Sequence, residues 1–354
     1  MAAERERRLE TVRQLREQAE WCRLMGSPLY ASLLDRAGPD VEDAGATWRV
    51  LEPHTVPGRR GSALALRLMA AVHRLVLTGR APDLARHYPS VGGVAGGDAW
   101  PAFRDVLVSH ADTLRADVAR PCQTNEVGRC AALVFGFLEV AHRTGLPLRA
   151  LEVGASAGLN LRWDHFRYGD GAVRWGDAHS PVDLDGLWDE PPLPIDAPVT
   201  VASRRGCDPF PLDPARAEHR LALQASVWAD QVARLQRLRG ALDLAARVPA
   251  QVDAASIMEW LPDRLAEPAK GTATVVYHSI VEEYVPAAEL SAFYAAMEEA
   301  GAWASARAPL AWVRLEPEPG HKRHLLTLRL WPGGEQGGLA RCGAHGTNVR
   351  RFVA

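Results

Sequence analysis

The run Leu148-Arg149-Ala150-Leu151-Glu152-Val153-Gly154-Ala155-Ser156-Ala157-Gly158-Leu159-Asn160-Leu161 constrains this chain more than any other stretch. Leu148, Leu151 and Val153 form a short apolar segment between Pro147 and Gly154, the pattern of a buried strand. Gly154 and Gly158 then permit backbone angles that a Cβ forbids, and they let another group approach the chain closely. A helix start is expected after Gly158, with its unpaired N–H groups turned back toward the bend. Glu152 interrupts the apolar strand end, where a buried carboxylate requires a partner.

Three readings compete for this bend. Glu152-x-Gly154-x-x-x-Gly158 resembles the first motif of S-adenosylmethionine-dependent methyltransferases, a nucleotide turn of the Rossmann type. Gly154-Ala155-Ser156-Ala157-Gly158 also matches the Gly-x-Ser-x-Gly nucleophile elbow of serine hydrolases. The third reading is a packing turn that needs small residues and binds nothing. A nicotinamide fingerprint would require a glycine at position 156, which is Ser. The hydrolase reading ranks behind the first, because an elbow belongs after several strands and wants a His-Gly-Gly type oxyanion loop upstream. The glycine pairs at 92–93 and 96–97 lack that histidine.

Composition narrows the function classes. The 354 residues are 47% hydrophobic and 24% charged with a net charge of −2, so the bulk electrostatics point to neither nucleic acid nor a membrane surface. Cys22, Cys122, Cys130, Cys207 and Cys342 are scattered and odd in number, which argues against a disulfide framework or a zinc site, and no metal site is expected. The charged N-terminus has no apolar h-region, and a cytoplasmic location is the expectation.

Along the chain, residues 1–120 read as a helical cap: helices over 4–25, from Ser27-Pro28 to about Leu34 with a break at Gly38-Pro39, over 61–78 with Ser62 as cap, and over 100–118. At most a short strand is expected there, near 47–51. Gln123-Thr124-Asn125-Glu126 is expected to open a helix running to about residue 143, with Thr124 as N-cap. The central strand and a helix to Phe166 follow, then an insertion of hairpins over 167–197. Further strands are expected at 198–203, 250–253, 272–278, 310–315, 324–330 and from Leu339, with a long helix over 214–246 and shorter ones over 255–266 and 286–300. This alternation predicts an α/β domain over 121–354, Rossmann-like, mostly parallel, with a terminal β-hairpin. Its ligand would sit outside the carboxyl ends of the strands beside the first one. The cap, hinged at the glycines of 92–97, would cover that cleft.

Candidate site residues follow from that edge. Glu152, Gly154, Ala155, Ser156, Gly158 and Asn160 form the bend. Asp208 closes the second strand where such folds hold ribose hydroxyls, with Asp177 as the alternative nearer the usual spacing; helix capping or an Asx turn before Pro209 explains Asp208 equally well. Asp253 ends the third strand near the expected adenine, and Gln123 and Asn125 are placed to close over the methionine end. After the fourth strand, His278 is the candidate base, oriented by Glu282 with Tyr284 beside it.

Taken together, Gln123-Thr124-Asn125-Glu126, Leu151 to Leu161, Arg205-Gly206-Cys207-Asp208, His278-Ser279-Ile280-Val281 and Trp331-Pro332-Gly333-Gly334 resemble an actinobacterial family known as domain of unknown function 2332. The resemblance covers most of the chain and implies a fold similar to class I methyltransferases, with S-adenosylmethionine or S-adenosylhomocysteine as cofactor. One departure stands out: segment 316–323 is too short for the helix that usually joins the fifth and sixth strands. The function expected is methyl transfer to a small molecule. The alternatives are a repurposed fold running another displacement such as ring closure, and a cofactor- or partner-binding protein without turnover.

Overall fold

The computed structural model describes residues 2–55 and 63–353, so the Ser62 cap lies outside the described residues. The chain divides into two compact units, Met1–Thr124 with Arg216–Gln236, and Asn125–Ala215 with Arg237–Ala354.

The first unit is helical: α1 (Ala2–Leu24), α2 (Pro28–Glu42), α3 (Ala46–Leu51), α4 (Leu64–Leu77), α5 (Pro82–Ala85), α6 (Trp100–Ser109) and α7 (Ala111–Val118). The apolar stripe Val12, Leu15, Ala19 and Cys22 of α1 is buried, as its helical spacing requires.

The second unit opens with α8 (Cys130–Thr144) and β1 (Leu148–Val153), followed by a 3-10 helix over Leu159–His165. The insertion is a small sheet of β2 (Arg167–Gly169), β3 (Arg174–Gly176) and β4 (Asp183–Asp185), and β5 (Val201–Asp208) returns to the main sheet. The chain then contributes α9 (Ala217–Ser226) to the first unit and continues through α10 (Val232–Ala245). Next come β6 (Gln251–Ala254), α11 (Ile257–Leu265), β7 (Ala273–Ser279) and α12 (Ala287–Ala302). The unit ends with β8 (Leu310–Pro317), β9 (His324–Trp331), β10 (Glu335–Cys342) and β11 (Arg350–Arg351).

The eight-stranded sheet has the order β11-β10-β9-β8-β7-β1-β5-β6. The five strands from β6 to β8 are parallel, and β9 pairs antiparallel with β8, as does β10 with β9. In chain order the parallel strands read 3-2-1-4-5, the arrangement of a doubly wound sheet whose winding reverses at the first strand. Every residue of β7 is buried, the signature of a strand covered on both faces. On one face α8 lies close to the sheet, because a Cβ at Gly136 would stand 2.7 Å from Val313 Cγ1. Phe137 of α8 stacks on Trp163 at 4.1 Å and meets Tyr277 edge-on at 5.0 Å. The other face carries α11 and α12, where Trp260, Phe293, Met297 and Trp312 are buried in one cluster with Leu151 and Val276.

Several elements differ from the sequence expectation. Residues 46–51 are helical, because Trp48, Val50 and Leu51 are buried within the helical unit and tertiary packing overrides strand propensity. Pro39 sits inside α2, which runs on to Glu42. The long helix over 214–246 is two helices broken at Val227, and its first half packs with the N-terminal helices: Trp228 and Ala229 lie in their core, and the Asp230 carboxylate accepts from Ser27 Oγ at 2.5 Å and Leu29 N at 3.0 Å. Thr124 caps no helix. Glu126 instead caps a 3-10 turn by accepting from Gly128 N at 3.1 Å, and α8 starts at Cys130. The segment after Gly158 is a kinked 3-10 helix rather than an α-helix, with non-helical angles at Arg162. The short 316–323 link joins β8 and β9 as an antiparallel pair.

Candidate site at the carboxyl edge of the sheet

The bend after β1 stands at the reversal point of the sheet, and Gly154, Ser156 and Gly158 all have positive φ (+68°, +52° and +66°). Its amides are held by side chains from two directions. Asp208, at the end of the neighbouring β5, accepts from Ser156 N at 2.9 Å with one carboxylate oxygen and from Phe210 N at 2.9 Å with the other. The second contact is the Asx turn expected as its alternative role. Buried Asn125 accepts with Oδ1 from Ala157 N at 3.2 Å and Leu159 N at 3.0 Å. Ala155 N donates to Cys207 O at 2.9 Å.

The glycines allow close approach, and protein atoms use it. A Cβ at Gly154 would lie 2.6 Å from Val281 Cγ2, and one at Gly158 would lie 2.7 Å from Val252 Cγ2. Val281 reaches the bend because the chain turns sharply after β7 at Ile280, a β-branched residue with φ of +55°. A β-branched residue at positive φ is a strained outlier, and such strain collects at functional sites.

Beneath the bend lies a buried polar group. Glu152 is 3% exposed, and its carboxylate meets the Tyr277 hydroxyl at 3.4 Å, a long contact. Burial pushes its pKa well above the usual carboxylate range, and the nearby Asp208 pushes the same way, against the weaker support of Tyr277, Arg162 and Asn160. The Ser156 hydroxyl and Asn160 Oδ1 are also buried, each without a hydrogen-bond partner among the described residues. The backbone at Ser156 is bent as an elbow would be, but among the described residues no imidazole bonds its hydroxyl, the partner by which a hydrolase nucleophile is activated.

His278 belongs to a separate cluster. Alternation along β7 turns Tyr277 toward α8 and His278 toward α12, against Phe293 and Trp312. Its ring is fully enclosed, with Nδ1 2.7 Å from Glu316 Oε1 and Nε2 3.1 Å from Trp312 Nε1. An indole N–H only donates, so Nε2 is the acceptor and Nδ1–H donates to Glu316. Both ring nitrogens thereby have protein partners, and the ring acts as a strut of the strand end. Glu282 lies 3.8 Å from His278 Nε2 but pairs closely with Arg314 at 2.7 Å, and Arg314 also donates to the Tyr294 hydroxyl at 2.6 Å. The orienting carboxylate is therefore Glu316, which also accepts from Val281 N at 3.0 Å. Its sequence signal is the period-two series Trp312, Arg314, Glu316, which puts polar groups on one face of an apolar strand. His278, Glu282 and Glu316 have ligand atoms within 4.8 Å of one another, the spacing of a metal site. The Arg314 guanidinium already supplies positive charge there, and Trp312 holds the imidazole acceptor.

The remaining candidates are spread along the edge. Asp253 is clasped by Arg205 at 2.7 and 3.0 Å, by Trp260 Nε1 at 2.6 Å and by Gln251 Nε2 at 2.8 Å, and the Arg205 bond leads in holding its carboxyl down at about 2. Gln123 is half-buried and Tyr284 is exposed on the 3-10 turn Glu282–Tyr284. Asp177 is exposed in the insertion, where it accepts from His179 N at 2.8 Å. The structure thus unites Glu152, Ser156, Asn160, Asn125 and Asp208 around one bend and gathers His278, Glu282 and Glu316 into another cluster, with Val281 in contact with both.

Fold and edge define an α/β protein with a mostly parallel sheet and a braced glycine bend at its switch point. The chain belongs to the family described as an uncharacterized protein conserved in bacteria (DUF2332), which it matches over residues 12–351. No curated protein and no solved structure matches it. No helix among the described residues is long and apolar enough to cross a membrane.

Proposed function

We propose that the protein binds S-adenosylmethionine or S-adenosylhomocysteine at the carboxyl edge of β1 and acts as a methyltransferase-like enzyme on a small molecule. The observation that carries this reading is the 3-2-1-4-5 strand order with the Glu152–Gly158 bend at its reversal point. There a crevice ligand meets the first strand's turn and the acid of the second. The bend is held in shape by Asp208 and Asn125 before any ligand arrives, which lowers the ordering cost of binding. Methyl transfer from a sulfonium is a displacement in which positioning supplies most of the acceleration. With His278 enclosed, the reaction proposed is one in which the acceptor arrives unprotonated and no base is required.

Calorimetry with S-adenosylhomocysteine tests this. Wild type should bind in the micromolar range, about −8 kcal/mol. Val281→Ala, which clears the space in front of Gly154, should bind at least as tightly. Absence of heat with both S-adenosylhomocysteine and S-adenosylmethionine, in wild type and in Val281→Ala, would sink the reading. The packed approach of Val281 to Gly154 favours one rival, a bend that serves packing alone. That rival predicts no binding by either protein and a loss of stability in the variant.

A further inference from the structure

A second candidate site lies behind the bend and does not rest on the cofactor reading. A cleft of about 420 Å³ opens between the 3-10 helix after β1, β5, the segment 213–215 and the approach to β6. That volume falls within the ~300–1,000 Å³ typical of small-molecule sites. Its walls are mostly apolar, with Pro214, Ala215, Ala245, Ala246, Pro249 and Ala250, while Arg162 and Arg204 line it as the cationic groups.

The two arginines differ. Arg204 is neutralised by a bidentate pair with Asp164 at 2.6 and 2.8 Å. Arg162 is 2% exposed and has no carboxylate in an ion pair among the described residues. Its Nε donates to Val248 O at 2.7 Å and its Nη1 to Gly158 O at 2.7 Å, which leaves Nη2 without a hydrogen-bond partner among the described residues. Burial brings its pKa down to about 10, so it remains charged at neutral pH. Asp213 also lines the cleft, and its carboxylate accepts from Ala215 N at 2.8 Å.

A buried guanidinium held by two carbonyls is oriented, and although the Glu152 carboxyl lies near enough to favour its charge, no carboxylate among the described residues pairs with it directly; a buried charge is expensive without such a partner. We propose that this cleft is a binding site for a small amphipathic organic anion, whose carboxylate or phosphate meets Arg162 while its apolar body lies on the alanine and proline walls. Arg162 is suited to the task because two carbonyls fix its plane before the ligand arrives.

Calorimetric titration of the full chain tests the site with four probes: hexanoate, hexyl phosphate, inorganic phosphate and hexanamide. Wild type should bind hexanoate or hexyl phosphate at a single site, the tighter of the two naming the headgroup, and hexanamide at least tenfold more weakly. Ala246→Trp fills the cleft from an exposed turn position and should lower anion affinity at least tenfold while the far-ultraviolet circular dichroism stays unchanged. Arg162→Met should do the same, and if it fails to fold, Ala246→Trp alone decides the question. Equal binding of hexanamide and hexanoate, or of inorganic and hexyl phosphate, would overturn the assignment. So would unaltered binding by Ala246→Trp, or absence of heat from every anion.

Discussion

Glu152 and Glu316 are both buried carboxylates near the ends of parallel strands, yet their surroundings drive them in opposite directions. Glu152, 3% exposed, has a hydroxyl contact at 3.4 Å with lesser support from Arg162 and Asn160, and burial dominates, so its pKa is raised well above the ordinary value. Glu316, 8% exposed, is also penalised by burial, but hydrogen bonds from His278 Nδ1 and the amides of Val281 and Glu282 outweigh it and hold its pKa below the ordinary value. Burial alone therefore does not decide the state of an acid; the number and quality of the donors aimed at it do. Glu316 works as a structural anchor through Oε1, with its Oε2 buried and without a hydrogen-bond partner among the described residues, while Glu152 lies beneath the proposed ligand site.

The largest test of that contrast is Glu316→Ala. It strips the acceptor from His278 Nδ1–H and Val281 N–H, and chemical denaturation should show a loss of about 1–3 kcal/mol for each buried donor left unsatisfied. A loss under about 1 kcal/mol would put Glu316 in the class of unimportant surface acids.

The pH dependence should then separate the two acids by sign. The native-state pKa of Glu152 lies above its unfolded value near 4.5, so the folded protein binds the extra proton. Its contribution is complete below that pH and is lost as pH rises, at up to about 1.4 kcal/mol per pH unit. Glu316, with its pKa lowered from 4.5, contributes above that pH and loses its contribution as pH falls. Subtracting the denaturation profile of Glu152→Gln from that of wild type should isolate the first slope, and a flat difference above pH 5 would refute it.

Smaller effects are expected around the bend. Ser156→Gly removes a left-handed cost of about 1–2 kcal/mol but adds unfolded-state entropy of about 0.4–1 kcal/mol, so the melting temperature should rise slightly. A clear fall would mean that the orphaned hydroxyl has a partner in solution. Asp253→Asn should cost the least, about 0.2–1 kcal/mol, because Arg205 is more than a third exposed and water screens the pair. A cost above 2 kcal/mol would place Asp253 beside Glu316 as an anchor.

Much of the fold is legible from residue order. The run of β1, the switch to all-buried β7 and the alternating insertions announce a mostly parallel sheet, because period and turn residues are local properties. The bend is legible too, since small residues between an apolar strand and polar positions have few uses. Residue order misleads where structure depends on neighbours distant in sequence. Residues 46–51 form a helix because of the core they join, and 216–236 pack with the N-terminal helices despite lying between two strands of the sheet.

The sequence by itself determined which residues stand at the sheet's carboxyl edge, because strand ends and glycine bends are written in local pattern. Only the tertiary structure decided what those residues do there. Asp208 and Asn125 became braces because the bend's amides needed acceptors from adjacent segments. His278 became a strut because pairing β7 with β8 brought Trp312 and Glu316 to its two ring nitrogens. A hydrogen bond between residues 38 positions apart leaves no mark in either one's local sequence, and only the register of two strands makes it.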